Sequence, residues 1–169
     1  MKNLQEQRAN VKRSLAIFLE MDNIEYNIIE DTDKRVLIHT CFSFEHGTMG
    51  YYMDYQAEYQ CLHFRCYSYQ HIPEHKRNEV QSYYSKLNLS TVFWASIHLN
   101  VNDGSTFSKS SILLHEIEDL GLETIRSHFV VNHYHLSEFL GAALKIGFGN
   151  YTADQAFEEI CKTLETKLN

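Results

Sequence analysis

The spacing of apolar residues predicts one helix followed by several strands in the first half of the chain. A stripe of apolar residues at helical intervals predicts an amphipathic helix that ends near residues 21–23. Its members are Leu4, Val11, Leu15, Phe18 and Leu19. Apolar and polar residues then alternate over 24–28, 36–44, 49–55 and 59–69, which is the period of a half-buried strand. We therefore expect a helix packed against an antiparallel meander.

Pro73 is the only proline in the chain and predicts the start of a second helix, because its fixed φ and missing N–H suit the first helical turn. Apolar residues at helical spacing follow it: Val80, Tyr83, Tyr84 and Leu87. From 93 to 101 every second residue is apolar, so the period changes to that of a strand. The turn sequence at 102–105 then predicts a hairpin with a return strand over 106–117.

Two further helices are predicted at the end of the chain. Apolar residues keep a helical period from Leu122 to about Ile146, and Thr152 with Gln155 forms a capping box that opens the last helix. The chain of 169 residues contains no repeat or linker, and its length is typical of a single domain. We expect one domain over 1–169.

The segment around Pro73 also carries a resemblance to a known family. The residues concerned are Ile72-Pro73-Glu74 and Lys76-Arg77 at the start of the middle helix, Leu87-Asn88 at its end, and the alternating strand from Phe93. With this order of elements, the chain resembles the YbjN-type domain, a bacterial family often described as sensory transduction regulators. The resemblance implies an α+β fold like that of type III secretion chaperones, in which helices cover a twisted, mainly antiparallel sheet. It implies the order α-β-β-β-α-β-β-α with an extra C-terminal helix.

Composition narrows the range of partners. The chain has 15 basic and 22 acidic residues, a net charge of −7, and no cluster of Lys and Arg, which argues against nucleic acid. No stretch has the length and apolar character of a membrane span or a signal peptide, so we expect a cytoplasmic protein. Its four cysteines show no Cys-x-x-Cys spacing and are expected to be free thiols. Cys61 and Cys66 should point to opposite faces of a strand, which argues against a shared metal.

The candidate interaction surface consists of Trp94, His98 and Tyr52. Trp94 and His98 alternate with the apolar residues of their strand and therefore belong to its polar face, where a tryptophan can anchor an interface. Trp94 could equally lie under a terminal helix or against a cross-strand tyrosine. Tyr52 belongs to a set that could extend the surface or could reflect strand propensity alone. The other members are Tyr51, Tyr55, Tyr59, Tyr67 and Tyr69.

Histidines supply the alternative, a metal-dependent enzyme or metal sensor. His133 and His135 diverge by about 200° around a helix, whereas His135 and Glu138 have the spacing of neighbours. A solvated outer sheet face explains the strand histidines His39, His63 and His98 more simply than a metal does. The sequence contains no nucleophile elbow or glycine-rich phosphate loop, so we assign no catalytic residue, metal ligand or cofactor.

Taken together, these patterns favour a non-enzymatic protein-binding or regulatory module. Its partner would be a protein or a client segment, and a homodimer is compatible with the resemblance. A third possibility, suggested by the family description alone, is a domain that binds a small signalling ligand.

Overall fold

The structure is a computed structural model that describes residues 4–90, 95–115 and 120–168. Within these ranges the chain forms four α-helices, six strands and a 3-10 turn over Glu74–Lys76. The helices are α1 Leu4–Met21, α2 Arg77–Ser90, α3 Leu122–Phe148 and α4 Ala153–Leu168. The strands are β1 Asn27–Asp31, β2 Arg35–Phe44, β3 Gly47–Gln56, β4 Cys61–His71, β5 Ser96–Leu99 and β6 Ser105–Leu113.

The strands form one antiparallel sheet in the order β1-β2-β3-β4-β6-β5. The first four strands are a meander, and the hairpin of β5 and β6 extends the sheet with β6 beside β4. The predicted α+β class, with a mainly antiparallel sheet and helices, is confirmed. Four strands precede α2, one more than the order implied by the family resemblance.

Helices cover one face of this sheet. Val36 and Ile38 of β2 lie opposite Tyr55 and Met53 of β3, and all four side chains are buried in the core. The hydroxyl of Tyr51, on the same face, donates to backbone carbonyls of α3, and α2 and α4 pack beside this helix. The alternate residues of the strands therefore form a second face that no described helix covers, which we call the helix-free face.

The serines of β6 are explained by their contact with α3. Asn132 is fully buried on α3, and its amide oxygen accepts a hydrogen bond from Ser108 at 2.9 Å. Its amide nitrogen donates to Ser110 at 2.6 Å and to the carbonyl of His128 at 2.7 Å. Since each buried polar group has a partner, serine can replace an apolar residue at these inward positions of β6.

Pro73 lies at the start of a helical segment, as predicted, and the turn between β5 and β6 is fastened to this junction. The guanidinium of Arg77 donates to the carbonyls of Ile72, Val101 and Asn102 at 2.9–3.1 Å. Gly104 has φ +81°, and a Cβ there would lie 2.3 Å from the carbonyl oxygen of Ile72. Only glycine fits this turn without strain.

Several predicted strand boundaries are wrong, of which three are informative. The first strand begins at Asn27 rather than at 24, because the amide of Ile24 still bonds to the carbonyl of Leu19 at the end of α1. The strand predicted over 91–101 ends at Leu99, and Val101 is exposed in the turn, while 91–94 lie outside the described residues. The return strand predicted over 106–117 runs over Ser105–Leu113, and 116–117 lie outside the described residues.

Candidate interaction surface

A row of aromatic rings crosses the helix-free face. In the sheet order β2-β3-β4-β6-β5, each strand contributes one ring. Successive ring centroids are 4.5, 5.7, 5.2 and 5.3 Å apart. The members of this aromatic row are His39, Tyr52, Tyr67, Phe107 and His98. All five side chains are half-buried, so their remaining exposed edges face solvent in one line.

Strand register creates the row. His39 lies directly opposite Tyr52, and Phe107 lies opposite both Tyr67 and His98. Cross-strand aromatic pairs stabilise a sheet by about 0.2–1 kcal/mol each, and stacking holds the rings in fixed orientations. The surface is therefore already organised in the absence of a partner.

Asp54 anchors one end of this face. It is 2% exposed and receives two hydrogen bonds from Arg35, at 2.7 and 2.9 Å, and one from Gln56 at 3.0 Å. Burial opposes ionisation of Asp54, but the hydrogen bonds from Arg35 and Gln56 and the charges of Arg35 and Arg65 outweigh it. The pKa of Asp54 therefore lies below its usual value, and the carboxylate stays ionised at neutral pH.

Arg65 and Lys109 form a cationic pair on the same face. They are cross-strand neighbours on β4 and β6, and Arg65 also lies opposite Tyr52 on β3. In the part of the chain that the structure describes, neither side chain has a carboxylate within ion-pair distance. Burial lowers the pKa of His63 and the charges of Arg65 and Lys109 lower it further, whereas the charge of Asp54 raises it. Two cations therefore lie side by side on this face, although the chain as a whole is acidic.

A shallow depression of about 440 Å³ lies in this face. Its lining includes the rings of Tyr52, Tyr67 and Tyr69, together with cations and carboxylates: Arg35, Arg65, Asp54 and Asp103. Tyr69 is 52% exposed and extends the aromatic row toward solvent. The depression has the open shape of a groove for a chain segment rather than that of a closed small-molecule cavity.

The structure brings together two of the three predicted surface residues. Tyr52 and His98 both belong to the aromatic row, where Tyr67 and Phe107 connect them. Trp94 lies outside the described residues, and its role stays a prediction.

The wider tyrosine set divides between three locations. Tyr67 and Tyr69 lie on the helix-free face, but Tyr51 and Tyr55 are fully buried under the helices and Tyr59 is in a turn. The sequence interpretation also missed Phe107. A period of two through Thr106, Ser108 and Ser110 places Phe107 on the opposite face, but the inward side chains are polar and do not mark the core face.

The histidines do not form a metal centre within the described chain. No group of three or more His, Cys, Asp or Glu among residues 4–90, 95–115 and 120–168 could hold a metal ion. His39, His63 and His98 all lie on the helix-free face, but on three different strands. Cys61 lies on this face too, whereas Cys66 points into the core, so the prediction of opposite faces is correct.

The three helical histidines of α3 have separate surroundings. His128 shares a hydrogen bond of 2.8 Å with Ser110, and His133 meets the ring of Phe42. His135 is 2% exposed, and burial lowers its pKa to about 4, so it is neutral at pH 7. Their roles are consistent with packing between α3 and the sheet.

Comparisons of the whole chain with protein-family models, curated proteins and solved structures find no significant match. The resemblance to the YbjN-type domain therefore stays a prediction. Of the described helices, none combines the length and the apolar character needed to cross a membrane.

Proposed function

We propose that the protein is a non-enzymatic binding module whose helix-free face holds an acidic, apolar segment of a partner polypeptide. The observation that carries this proposal is the aromatic row beside the cations Arg65 and Lys109, which have no carboxylate within ion-pair distance among the described residues. The fold that the sequence resemblance implies, that of type III secretion chaperones, supports the same conclusion.

Aromatic side chains favour such a role. Tyrosine and phenylalanine bury large apolar areas with few rotatable bonds, and tyrosine is enriched among residues that dominate binding energy. Tyr67 lies at the centre of the row, between Tyr52 and Phe107. Its ring is already held by both neighbours, which lowers the entropy lost when a partner binds.

Charge complementarity selects the partner. Arg65 and Lys109 can each gain an ion pair with a carboxylate of the partner while the rings receive its apolar side chains. Two cations on an acidic chain are too few for a nucleic-acid surface, which neutralises several phosphates. We propose a cytoplasmic location because the four cysteines are free, as expected in a reducing compartment.

A display library of short random peptides tests this proposal. We expect the full chain to enrich peptides that combine Asp or Glu with Phe, Leu or Ile, and we expect their affinity to fall as salt rises. Enrichment of basic or purely polar peptides would contradict the proposal, as would tighter binding to a single-stranded RNA than to any selected peptide.

Variants then locate the binding site. Tyr67→Ala and Phe107→Ala should weaken a selected peptide by about tenfold or more, because truncation of a central aromatic anchor costs about 2 kcal/mol. Tyr59→Ala is the matched control, since Tyr59 is 63% exposed but lies in the turn after β3. Equal affinities for the three variants would place the peptide elsewhere. The mass of the intact assembly at the same concentrations would show whether a second copy occupies the face instead.

A further inference from the structure

We infer that Cys41 is a reactive thiol that forms a mixed disulfide with low-molecular-weight disulfides, assisted by His39 and Tyr69. This modification site lies at one end of the helix-free face and shares His39 and Tyr69 with the proposed binding surface, but the reactivity of Cys41 does not depend on whether a segment binds there. It rests on three features: an exposed nucleophile, a base and a donor within contact distance, and open space beside the sulfur.

Cys41 is exposed and lies beside an imidazole. Cys41 and His39 are two residues apart on β2, so both side chains point to the helix-free face. The sulfur lies 3.4 Å from Nε2 of His39, within reach of an S–H···N hydrogen bond. Cys41 is exposed, whereas Cys61 and Cys66 are buried and burial raises the pKa of both their thiols. Among the cysteines, Cys41 thus combines solvent access with a neighbouring base.

Tyr69 supplies a second polar contact to the sulfur. Its hydroxyl lies 3.7 Å from the sulfur of Cys41 and 3.4 Å from Nε2 of His39. Burial, the hydrogen bond and charge interaction with Cys41, and the nearby Tyr52 raise the pKa of Tyr69 to about 12. The hydroxyl therefore keeps its proton at neutral pH and can donate to a negatively charged sulfur.

A glycine of β3 makes room for the clustered side chains of Cys41, His39 and Tyr69. Gly50 lies directly opposite Cys41 in the register of β2 and β3. A Cβ at Gly50 would fall 2.5 Å from the hydroxyl of Tyr69 and 3.4 Å from Nε2 of His39. The absence of a side chain at this position allows the tyrosine to reach across the strand toward the thiol.

Cys41 also lines a cleft. It has a volume of about 520 Å³, and the rest of its lining is His39, Thr40 and residues 24–27, which precede and begin β1. A small disulfide can therefore approach the sulfur without displacing a helix or a core side chain.

The exchange balances within this cluster. His39 accepts the thiol proton, and the resulting thiolate attacks one sulfur of the disulfide. The new S–S bond forms as the old one breaks, and the departing thiolate takes the proton back from His39. Cys41 is oxidised to the mixed disulfide, and one half of the small disulfide is reduced to a free thiol.

Incubation of the full chain with glutathione disulfide, followed by peptide mapping, tests the inference. We expect one glutathionyl group on Cys41, added about tenfold faster than on the half-buried Cys161 of α4. A rate at Cys41 no higher than that at Cys161 would overturn the inference, whatever the behaviour of the variants.

Variants distinguish a reaction assisted by His39 and Tyr69 from one that depends only on the exposure of Cys41. His39→Gln should slow the reaction of Cys41 by about tenfold, since it removes the base, and should leave Cys161 unchanged. Tyr69→Phe and Gly50→Ala should each slow the reaction of Cys41 by a smaller factor. Tyr69→Phe removes the hydroxyl that donates to the sulfur, and the new methyl group in Gly50→Ala displaces that hydroxyl. His75→Gln, at an exposed histidine of the 3-10 turn, is the matched control.

An unchanged rate in His39→Gln would show that exposure alone governs Cys41, and would overturn the assisted reaction. If His39→Gln unfolds, the buried Cys66 will also react. The wild-type comparison of Cys41 with Cys161 and the Tyr69→Phe rate then decide the question.

Discussion

Asp54 shows how single residues determine the character of the helix-free face. Its carboxylate lies beneath the side chain of Arg35, which spans it with two hydrogen bonds. Arg35 also pairs with Glu30 at 3.1 Å, which links β1 to this end of the sheet. Because Asp54 occupies Arg35, the cations left for a partner are Arg65 and Lys109.

We predict that Asp54→Asn destabilises the protein by about 1–3 kcal/mol at neutral pH, because a charged donor loses its charged acceptor. The folded-state pKa of Asp54 is lowered. Its contribution is therefore fully present above the unfolded-state pKa of about 3.9 and is lost as pH falls through the lower folded value. Urea unfolding at several pH values should show the difference between wild type and Asp54→Asn shrinking below about pH 4.

Asp33→Asn is the control for this experiment, since Asp33 is exposed in the turn after β1. It should unfold like the wild type throughout the pH range. A difference between wild type and Asp54→Asn that stays constant down to acidic pH would contradict the assigned role of Asp54.

Residue patterns predicted this face unevenly. Alternation assigned His98 to it correctly, because His98 lies between the buried apolar residues Ile97 and Leu99. For Tyr52 alternation left two interpretations open, an extension of the surface or strand propensity alone. It did not reveal Phe107, since the inward neighbours Ser108 and Ser110 are polar and are satisfied by Asn132 of α3. That compensation depends on contacts across the fold, so a period within one strand does not show it.

At the scale of elements, the two ends of the sheet are protected differently. The outer edge of β5 faces α2, and the side chain of Asn88 hydrogen-bonds to the backbone of β5 as a neighbouring strand would. Its amide nitrogen donates to the carbonyl of Ile97 at 2.7 Å, and its amide oxygen accepts from the Ile97 N–H at 3.0 Å. At the other end of the sheet, β1 carries charged side chains, and its Asp31 forms ion pairs with Arg8 and Lys12 of α1. Both devices hinder pairing of the sheet with another chain.

Asn88→Ala should therefore lower the free energy of unfolding by about 1–3 kcal/mol, because it leaves a backbone donor and acceptor of β5 without partners. We also expect concentration-dependent association, measured by light scattering, since the edge becomes available. Leu89→Ala is the matched control, because Leu89 is the next residue and is 87% exposed. Stability and mass equal to those of the control would contradict this role for Asn88.

Element order followed from periodicity, while element length did not. The change of period after Leu87 correctly separates α2 from the following strand. The capping box correctly opens α4 with reciprocal bonds between Thr152 and Gln155. The strand predicted to reach Val101 stops at Leu99 instead. Arg77 bonds to the Val101 carbonyl and holds the turn, an interaction across 24 residues that local spacing does not show.

For the whole molecule, the consequence of this architecture is an asymmetric sheet. Side chains such as Phe64 and Met53 are fully buried beneath helices, while the other face presents Tyr67, Phe107 and the cations Arg65 and Lys109. A sheet with one covered face is a common arrangement in antiparallel folds. The aromatic row on the open face is the reason for our proposal that this face binds a partner.

Trp94 lies outside the described residues and stays a prediction from the sequence. In the period-two interpretation it shares the polar face of its strand with His98, so an anchor there would lie on the same face as the aromatic row. If Trp94→Ala leaves peptide affinity and oligomeric state unchanged while the fold stays intact, the anchor role is wrong.

Hydroxyl-radical footprinting of the full chain, with and without a selected acidic peptide, tests whether the peptide lies on the helix-free face. We expect the peptide to protect Tyr52, Tyr67 and Phe107 from oxidation, because these rings receive its apolar side chains. Exposed rings elsewhere, Tyr134 of α3 and Phe148 at its end, should be oxidised at unchanged rates. Protection of the helix layer, with the aromatic row still reactive, would contradict the account.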